Sequence, residues 1–254
     1  MSDSHATPPQ ESSPAVKTGG RFVFPRVVNY ALPLIALSVV GGLFYLPTLF
    51  ALGASPKSTA VGYAPVQPVP YSHALHAGQM GIDCRYCHTT VEKTAFAAIP
   101  PTQTCMNCHT QVGAKPSAPI NLGSDEYKRY QKLKPVYDSW ESGLPIQWTK
   151  VHDLPDYAYF NHSAHVNHGV GCVECHGRID QMDVVAQQKP LSMGWCLECH
   201  RDPGPRLRPK SEVTNMSWKP PVDPTEANAL AEKLKADYKI HDVAFMQSCY
   251  TCHR

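Results

Sequence analysis

Tyr71-Ser-His73-Ala-Leu-His76-Ala-Gly-Gln-Met-Gly-Ile-Asp-Cys84-Arg-Tyr-Cys87-His88 is the stretch from which the rest of the chain can be read. It ends in Cys-x-x-Cys-His. Four more copies follow: Cys105-Met-Asn-Cys108-His109, Cys172-Val-Glu-Cys175-His176, Cys196-Leu-Glu-Cys199-His200 and Cys249-Tyr-Thr-Cys252-His253. The five copies account for all ten cysteines. Cys-x-x-Cys-His is the attachment site of a c-type haem. Its two thiols add to the porphyrin vinyl groups, and the adjacent histidine lies under the iron as proximal ligand. The spacing is short because both vinyl carbons and the iron belong to one compact disc. Five covalently bound haem c groups on one small chain imply a wire for electrons.

Other uses of cysteine fit less well. A single Cys-x-x-Cys-His suits a thioredoxin-type redox pair or half of a zinc ribbon. Zinc ligands would come as two paired Cys-x-x-Cys units, and zinc does not need a histidine after every second cysteine. A disulfide framework does not need the regular spacing.

The chain has 254 residues, of which 17% are charged and 24 are proline. Such a composition predicts little long regular structure. The expected fold is a multihaem cytochrome c, mostly irregular with short α-helices wrapped around five haems, plus one N-terminal transmembrane helix. The polypeptide charge is +2. Each haem adds two ionised propionates against one net positive charge on ferric iron-porphyrin, so the loaded protein is acidic to neutral. No basic stripe of the kind that binds nucleic acid is present.

Residues 1–26 are polar, with Lys17, Arg21 and Arg26 near the end, and read as a disordered cytoplasmic tail. No charged side chain occurs from Val27 to Pro56. The transmembrane anchor is placed at 27–54. Its apolar part, Tyr30–Ala54, would be about 37 Å long as a helix, enough for a hydrocarbon core of about 30 Å. Phe22, Phe24 and Tyr30 suit an interfacial belt, and membranes tolerate Pro33 and Pro47. The rival is a cleaved signal peptide, with Ala51-Leu-Gly53 as the small-residue site, but the apolar run is longer than the usual 7–15 residues. Basic residues before the span put the tail in the cytoplasm and the rest on the periplasmic side of a bacterial inner membrane. Cytochrome c haems are attached on that outer face.

A Pro-rich stalk is expected at 55–70 and the pentahaem domain at 71–254. Within that domain the pattern repeats. Tyr71-Ser-His73-Ala-Leu-His76 stands seven residues before Cys84, and Phe160-Asn-His162-Ser-Ala-His165 stands six before Cys172. Each is followed by two haem sites, which gives repeat units 71–109 and 160–200, and the fifth site closes the chain at 249–253. Asp223-Pro224-Thr-Glu226 reads as a helix start, continued by Ala227, Leu230, Ala231, Leu234 and Tyr238. A second helix is expected over 124–141, opened by Ser124 and interrupted by Pro135. Its Tyr127, Tyr130, Val136 and Trp140 would either cover haem faces or belong to an ordinary surface helix.

A six-coordinate haem needs a distal His or Met. After the five proximal histidines and His5 in the tail, seven of thirteen remain: His73, His76, His152, His162, His165, His168 and His241. The twice-repeated aromatic-x-His-x-x-His singles out His73, His76, His162 and His165. Met80, Met182, Met193 and Met216 are the thioether alternatives.

Aromatic-x-His-x-x-His followed by Cys-x-x-Cys-His resembles the class III multihaem cytochromes, the cytochrome c3 and c7 group. In that group the first His usually ligates the haem just downstream and the second ligates another. Two further stretches are Trp148-Thr-Lys-Val-His152-Asp-Leu-Pro-Asp-Tyr-Ala-Tyr-Phe160-Asn-His162-Ser-Ala-His165 and Gly194-Trp195-Cys196-Leu-Glu-Cys199-His200-Arg201. They resemble the membrane-anchored pentahaem subunits of alternative complex III, a bacterial quinol:electron-acceptor oxidoreductase. The resemblance covers the anchor and residues 71–253. It implies that His152 also carries a ligand, so that His73, His76, His152, His162 and His165 complete five irons. Residues 226–246 look like a local insertion, and His168 and His241 have no counterpart.

The resemblance further implies an electron-transfer subunit with no catalytic site of its own. Iron–sulfur and polytopic quinol-oxidising membrane subunits would stand upstream, and a monohaem cytochrome c or other periplasmic acceptor downstream. The alternatives are a stand-alone membrane-anchored multihaem quinol dehydrogenase and a catalytic multihaem reductase. The latter needs an open iron position, and the chain has histidines enough to close every iron.

Overall fold

The computed structural model describes residues 24–53, 60–114 and 121–253. Most of the expected cytoplasmic tail, with His5 and Phe22, lies outside the described residues, as do Ala54 and the start of the expected stalk. The chain divides into two compact units, Met1–Ala51 and Leu52–Arg254.

One helix runs over Val28–Gly53, within the expected anchor boundaries. Its 26 residues have a mean hydropathy of 2.0 over the best window, long and apolar enough to cross a membrane. It continues through Pro33 and Pro47 without ending. Beside Pro47, which has no N–H, the Thr48 hydroxyl donates to Phe44 O at 2.7 Å. Leucines, valines and phenylalanines are exposed all round it, as suits a helix solvated by hydrocarbon rather than packed in a protein core.

The second unit is built of short helices joined by irregular chain. Apart from an antiparallel bridge between Val170 and Leu207, the described residues contain no strand. Four-, five-, eight- and nine-residue helices carry the cysteine motifs: Cys84–Cys87, Cys172–His176, Thr102–His109, Met193–Arg201 and, last, Cys249–Cys252. Each begins at or before the first cysteine. One helical turn puts the two thiols of Cys-x-x-Cys on the same side. The two longer helices are Asp125–Ser142 and Pro224–Asp237. Ser124 caps the first by accepting from Tyr127 N, and Asp223 caps the second by accepting from Thr225 N and Glu226 N. The expected interruption at Pro135 is absent, and the helix ends instead at Gly143, in the left-handed conformation with φ 71°.

Little of this unit is a conventional core. Eight apolar side chains are buried among the described residues. Val69, Met106, Val136 and Tyr137 form one cluster, with Tyr130, Leu133, Ile146 and Trp148 around it. Val69 belongs to the segment expected as a stalk, and over residues 60–70 that segment is docked on its own unit. Gly62 N donates to Gln187 O at 2.7 Å, Gln187 N donates to Tyr63 O at 3.0 Å, and Thr149 N donates to Gln67 Oε1 at 2.9 Å. Prolines make the segment stiff, and backbone groups not used internally find partners on the body.

Candidate haem-binding site

The two His-x-x-His segments adopt the same local geometry. Tyr71 stacks on His76 (4.4 Å between ring centroids, 21°) and meets His73 edge-on at 4.8 Å. Phe160 stacks on His165 (4.5 Å, 27°) and meets His162 edge-on at 4.8 Å. One helical turn separates the two histidines of each pair, and the aromatic ring wedges them apart. His76 Nδ1 donates to Ser72 O and His165 Nδ1 to Asn161 O, each at 2.8 Å and four residues back. The repeated motif is therefore a device that aims two imidazoles at two different places.

Three of these imidazoles face a motif histidine. His76 and His109 have ring centroids 6.3 Å apart, His165 and His200 6.3 Å, and His162 and His176 6.4 Å with planes 12° apart. Two imidazoles on opposite sides of one metal, with metal–nitrogen bonds of about 2 Å, have centroids a little over 6 Å apart. The three separations match that span. His88 is among the groups whose field acts on His73, which places the fourth pair in the same neighbourhood.

The ring nitrogens are prepared for ligation. Backbone carbonyls accept from Nδ1 of His88 (Ala98 O, 2.9 Å), His109 (Val112 O, 2.8 Å), His162 (Ala95 O, 2.8 Å), His200 (Met246 O, 2.8 Å) and His253 (Tyr157 O, 2.9 Å). A carbonyl only accepts, so Nδ1 carries a proton and Nε2 is the nitrogen turned toward a metal, as ligation requires. Burial lowers His73 to about 4 and His176 to about 3, with neighbouring imidazoles adding to both. Both are neutral at physiological pH. Among the described residues no three His, Cys, Asp or Glu side chains converge on a point. The imidazoles come as facing pairs.

A cavity of about 1010 Å³ runs between the motifs and is lined by the cysteines and histidines of the first, third, fourth and fifth. Its walls include Leu154, Pro155, Leu191, Trp195 and Val213. Burial pushes the Cys175 thiol up to about 12 and also raises Cys87, Cys105, Cys196 and Cys199. The neighbouring Cys172 thiol lowers Cys84, which sets the leading cysteines of the first and third motifs near each other. Unpartnered buried nitrogens at His73 Nδ1, His152 Nε2 and His176 Nδ1 lie among these groups. A small polypeptide core, an apolar void and facing imidazoles beside paired thiols fit flat porphyrins held by thioether bonds.

His152 lies 4.4 Å from His176, edge-on at 73°, closer than two imidazoles flanking one metal, while His162 faces the same ring at the right span. His168 Nδ1 faces Ala164 O, and His241 packs on Phe245 at 4.1 Å. Met216 is buried and lines the cavity, Met193 lines it while exposed, and Met80 is exposed.

Arg208, 2% exposed, was not singled out in the sequence. Its guanidinium pairs with Glu174 at 2.5 Å, donates to Asn215 O at 3.2 Å and lies 4.8 Å over the Trp218 ring. It fixes the third motif to the 207–218 segment. Gly171, directly before Cys172, lets it in: a Cβ there would stand 2.2 Å from Arg208 Cζ. An isolated arginine has no pattern signal, and only its partner inside Cys-Val-Glu174-Cys would have hinted at it.

No family model matches the chain. The chain is 33% identical over 110 residues to the multihaem cytochrome c subunit of menaquinone reductase from Nitratidesulfovibrio vulgaris. The match covers 43% of this chain and 45% of the relative, so the chain spans less than half the length of that protein.

Proposed function

We propose that this chain is a membrane-anchored pentahaem cytochrome c, the electron-transfer subunit of a quinone-linked membrane complex. The observation that carries the reading is the set of three imidazole pairs 6.3–6.4 Å apart, each with one member directly following a Cys-x-x-Cys. Cys84/Cys87, Cys105/Cys108, Cys172/Cys175, Cys196/Cys199 and Cys249/Cys252 would hold the five haems, and His88, His109, His176, His200 and His253 would be their proximal ligands. His73, His76, His162 and His165 would close the first four irons from the other side, and His152 would be the fifth distal ligand. The bound haem supplies a reversible one-electron ferric/ferrous couple. The chain's contribution is to hold imidazoles in fixed orientations and to exclude water with apolar walls.

The favoured complex is a quinol:acceptor oxidoreductase of the alternative complex III kind. Iron–sulfur and polytopic subunits would oxidise the quinol, and a periplasmic monohaem cytochrome or other acceptor would receive the electrons. The helix Val28–Gly53 would be the single-pass anchor, with the haem unit on the periplasmic side. One helix has no room for a quinone pocket with convergent polar groups. The name of the relative supports a second reading, in which electrons run the opposite way and menaquinone is reduced. Intact mass and the pyridine haemochrome spectrum test the cofactor: five haem units are expected, and zinc without haem absorbance overturns the reading. Quinol:acceptor and donor:quinone activities of the purified complex and of the isolated chain test the role. Equal specific activity in chain and complex would make the chain a quinol dehydrogenase in its own right.

A further inference from the structure

From the contacts between motif segments we infer that the five haem-binding segments form one unbranched row in the order second, first, third, fourth, fifth, which differs from their order in the sequence. The inference rests on the electron-carrier reading above and adds the path through the chain.

Each adjacency has its own contacts. The second and first segments are joined by Asn107 Nδ2, which donates to the Tyr86 hydroxyl at 3.1 Å. His73 and His76, which serve them, share one turn.

The first and third segments are clasped at two places. His162 N and Ser163 N donate to Ala95 O and Thr94 O, each at 3.1 Å, so the chain after the first motif holds the distal histidine of the third. Val213 O accepts from Cys172 N at 3.1 Å, and the next residue, Thr214, donates through its hydroxyl to Asp83 Oδ2 at 2.8 Å. Two consecutive residues thus grip the residue before Cys84 and the backbone of Cys172. Asn167 Nδ2 adds a bond to Glu92 O at 2.9 Å.

The third and fourth segments share the turn that carries His162 and His165. The fourth and fifth meet where His200 Nδ1 donates to Met246 O at 2.8 Å, three residues before Cys249. The second motif is absent from the lining of the cavity that the other four share, which puts it at one end. The fifth has its contacts with the fourth and with Tyr157 and Tyr159: Tyr159 N donates to Cys252 O at 2.8 Å.

The consequence is that the first site, not the second, joins the two repeat units, and that the second and fifth sites are the ends at which electrons enter and leave. Two variants separate this order from the order in the sequence. The assembled complex, fully reduced, is mixed with its acceptor and haem re-oxidation is followed by stopped flow. Cys84→Ala/Cys87→Ala breaks the row between the second and third sites. One of its four haems is expected to re-oxidise at least roughly tenfold more slowly than the rest, or three of four if the acceptor docks at the other end. Cys105→Ala/Cys108→Ala removes an end and strands none.

The order in the sequence predicts the reverse pattern, and that result, or equal behaviour of the two variants, overturns the inference. If the first variant does not mature, a cryo-microscopy map of the wild-type complex decides. The iron bound through Cys84 and Cys87 must have the second and third irons as its nearest neighbours, and a second–third contact sinks the row. Absence of haem from the intact mass would instead sink the electron-carrier reading itself.

Discussion

The two repeat units, 71–109 and 160–200, are alike within a turn and unlike beyond it. Tyr71 and Phe160 make the same stack and the same edge contact with their two histidines, to within 0.1 Å. The second histidine of each unit bonds the carbonyl four residues back at 2.8 Å. The first histidines differ. His162 Nδ1 is held by Ala95 O of the other unit at 2.8 Å, whereas His73 Nδ1 is buried without a partner. Glu174 of the second unit also pairs with the buried Arg208 beyond it, and Met106 of the first joins an apolar cluster with Val69, Val136 and Tyr137. The lesson is that local sequence repeats reproduce local aim, while the support of each ligand is recruited from wherever the chain passes.

The largest expected effect breaks the likeness at the ligands. His162→Ala should convert one of five low-spin haems to a high-spin, carbon monoxide-binding form, read by electronic absorption and EPR. His73→Ala should do the same to a different haem. Losing the clasp to Ala95 as well, His162→Ala should be the less stable variant by about 1 kcal/mol. His152→Ala is the same test for the remaining haem, and five unchanged low-spin signals there would remove His152 as a ligand.

Next comes the pair that buried Arg208 makes with Glu174 of the second unit. Arg208→Ala should destabilise by about 3 kcal/mol, the low end for a broken buried pair. Glu174 is partly exposed and retains Arg206 at 3.7 Å. Arg208→Met, which keeps the stem against Trp218, should lose less. Chemical denaturation followed by Soret absorbance measures both, and an Arg208→Ala midpoint equal to wild type would refute the anchoring role.

A smaller effect tests the shared wedge. Phe160→Leu and Tyr71→Leu should each cost about 1 kcal/mol through the lost aromatic contacts. The two losses should agree, since the geometries do. A loss confined to one variant would show that the repeat is similar in shape but not in energetics.

The smallest effect belongs to the first unit alone. The Arg85 guanidinium, bonded to Asp83, holds that carboxyl down at about 2, from an ordinary 3.8, with Thr214 adding a bond. Because the folded pKa is depressed, the carboxylate contributes stability above about pH 4. The contribution is lost as pH falls through about 2. Thermal melts between those values should show a shallower acid decline in Asp83→Asn than in wild type, and parallel curves would remove Asp83 from the account.

Much of the architecture is legible in the sequence. Cys-x-x-Cys-His is legible because covalent attachment demands contiguous residues. His73, His76, His162 and His165 are legible because one helical turn and one aromatic ring suffice to aim them, and all of that lies within six residues. The anchor helix is legible because hydrocarbon demands an unbroken apolar run, and the caps Ser124 and Asp223 because capping is a contact across two or three residues. Pro135 misled, since a proline inside a helix that packs through Val136 and Tyr137 is tolerated when packing outweighs one missing hydrogen bond.

What lay beyond the sequence are relations between distant residues. The docking of residues 60–70 and the burial of Arg208 against Glu174 both join segments tens of residues apart. The row in which the first motif meets the third depends on Val213 and Thr214, over a hundred positions from Asp83. Sequence by itself determined which atoms can bond to a porphyrin and which stretch can enter a membrane, because those properties are written in residue type and short spacing. Tertiary structure alone decided which motif stands beside which, because that is set by backbone carbonyls and amides, and every residue type carries them.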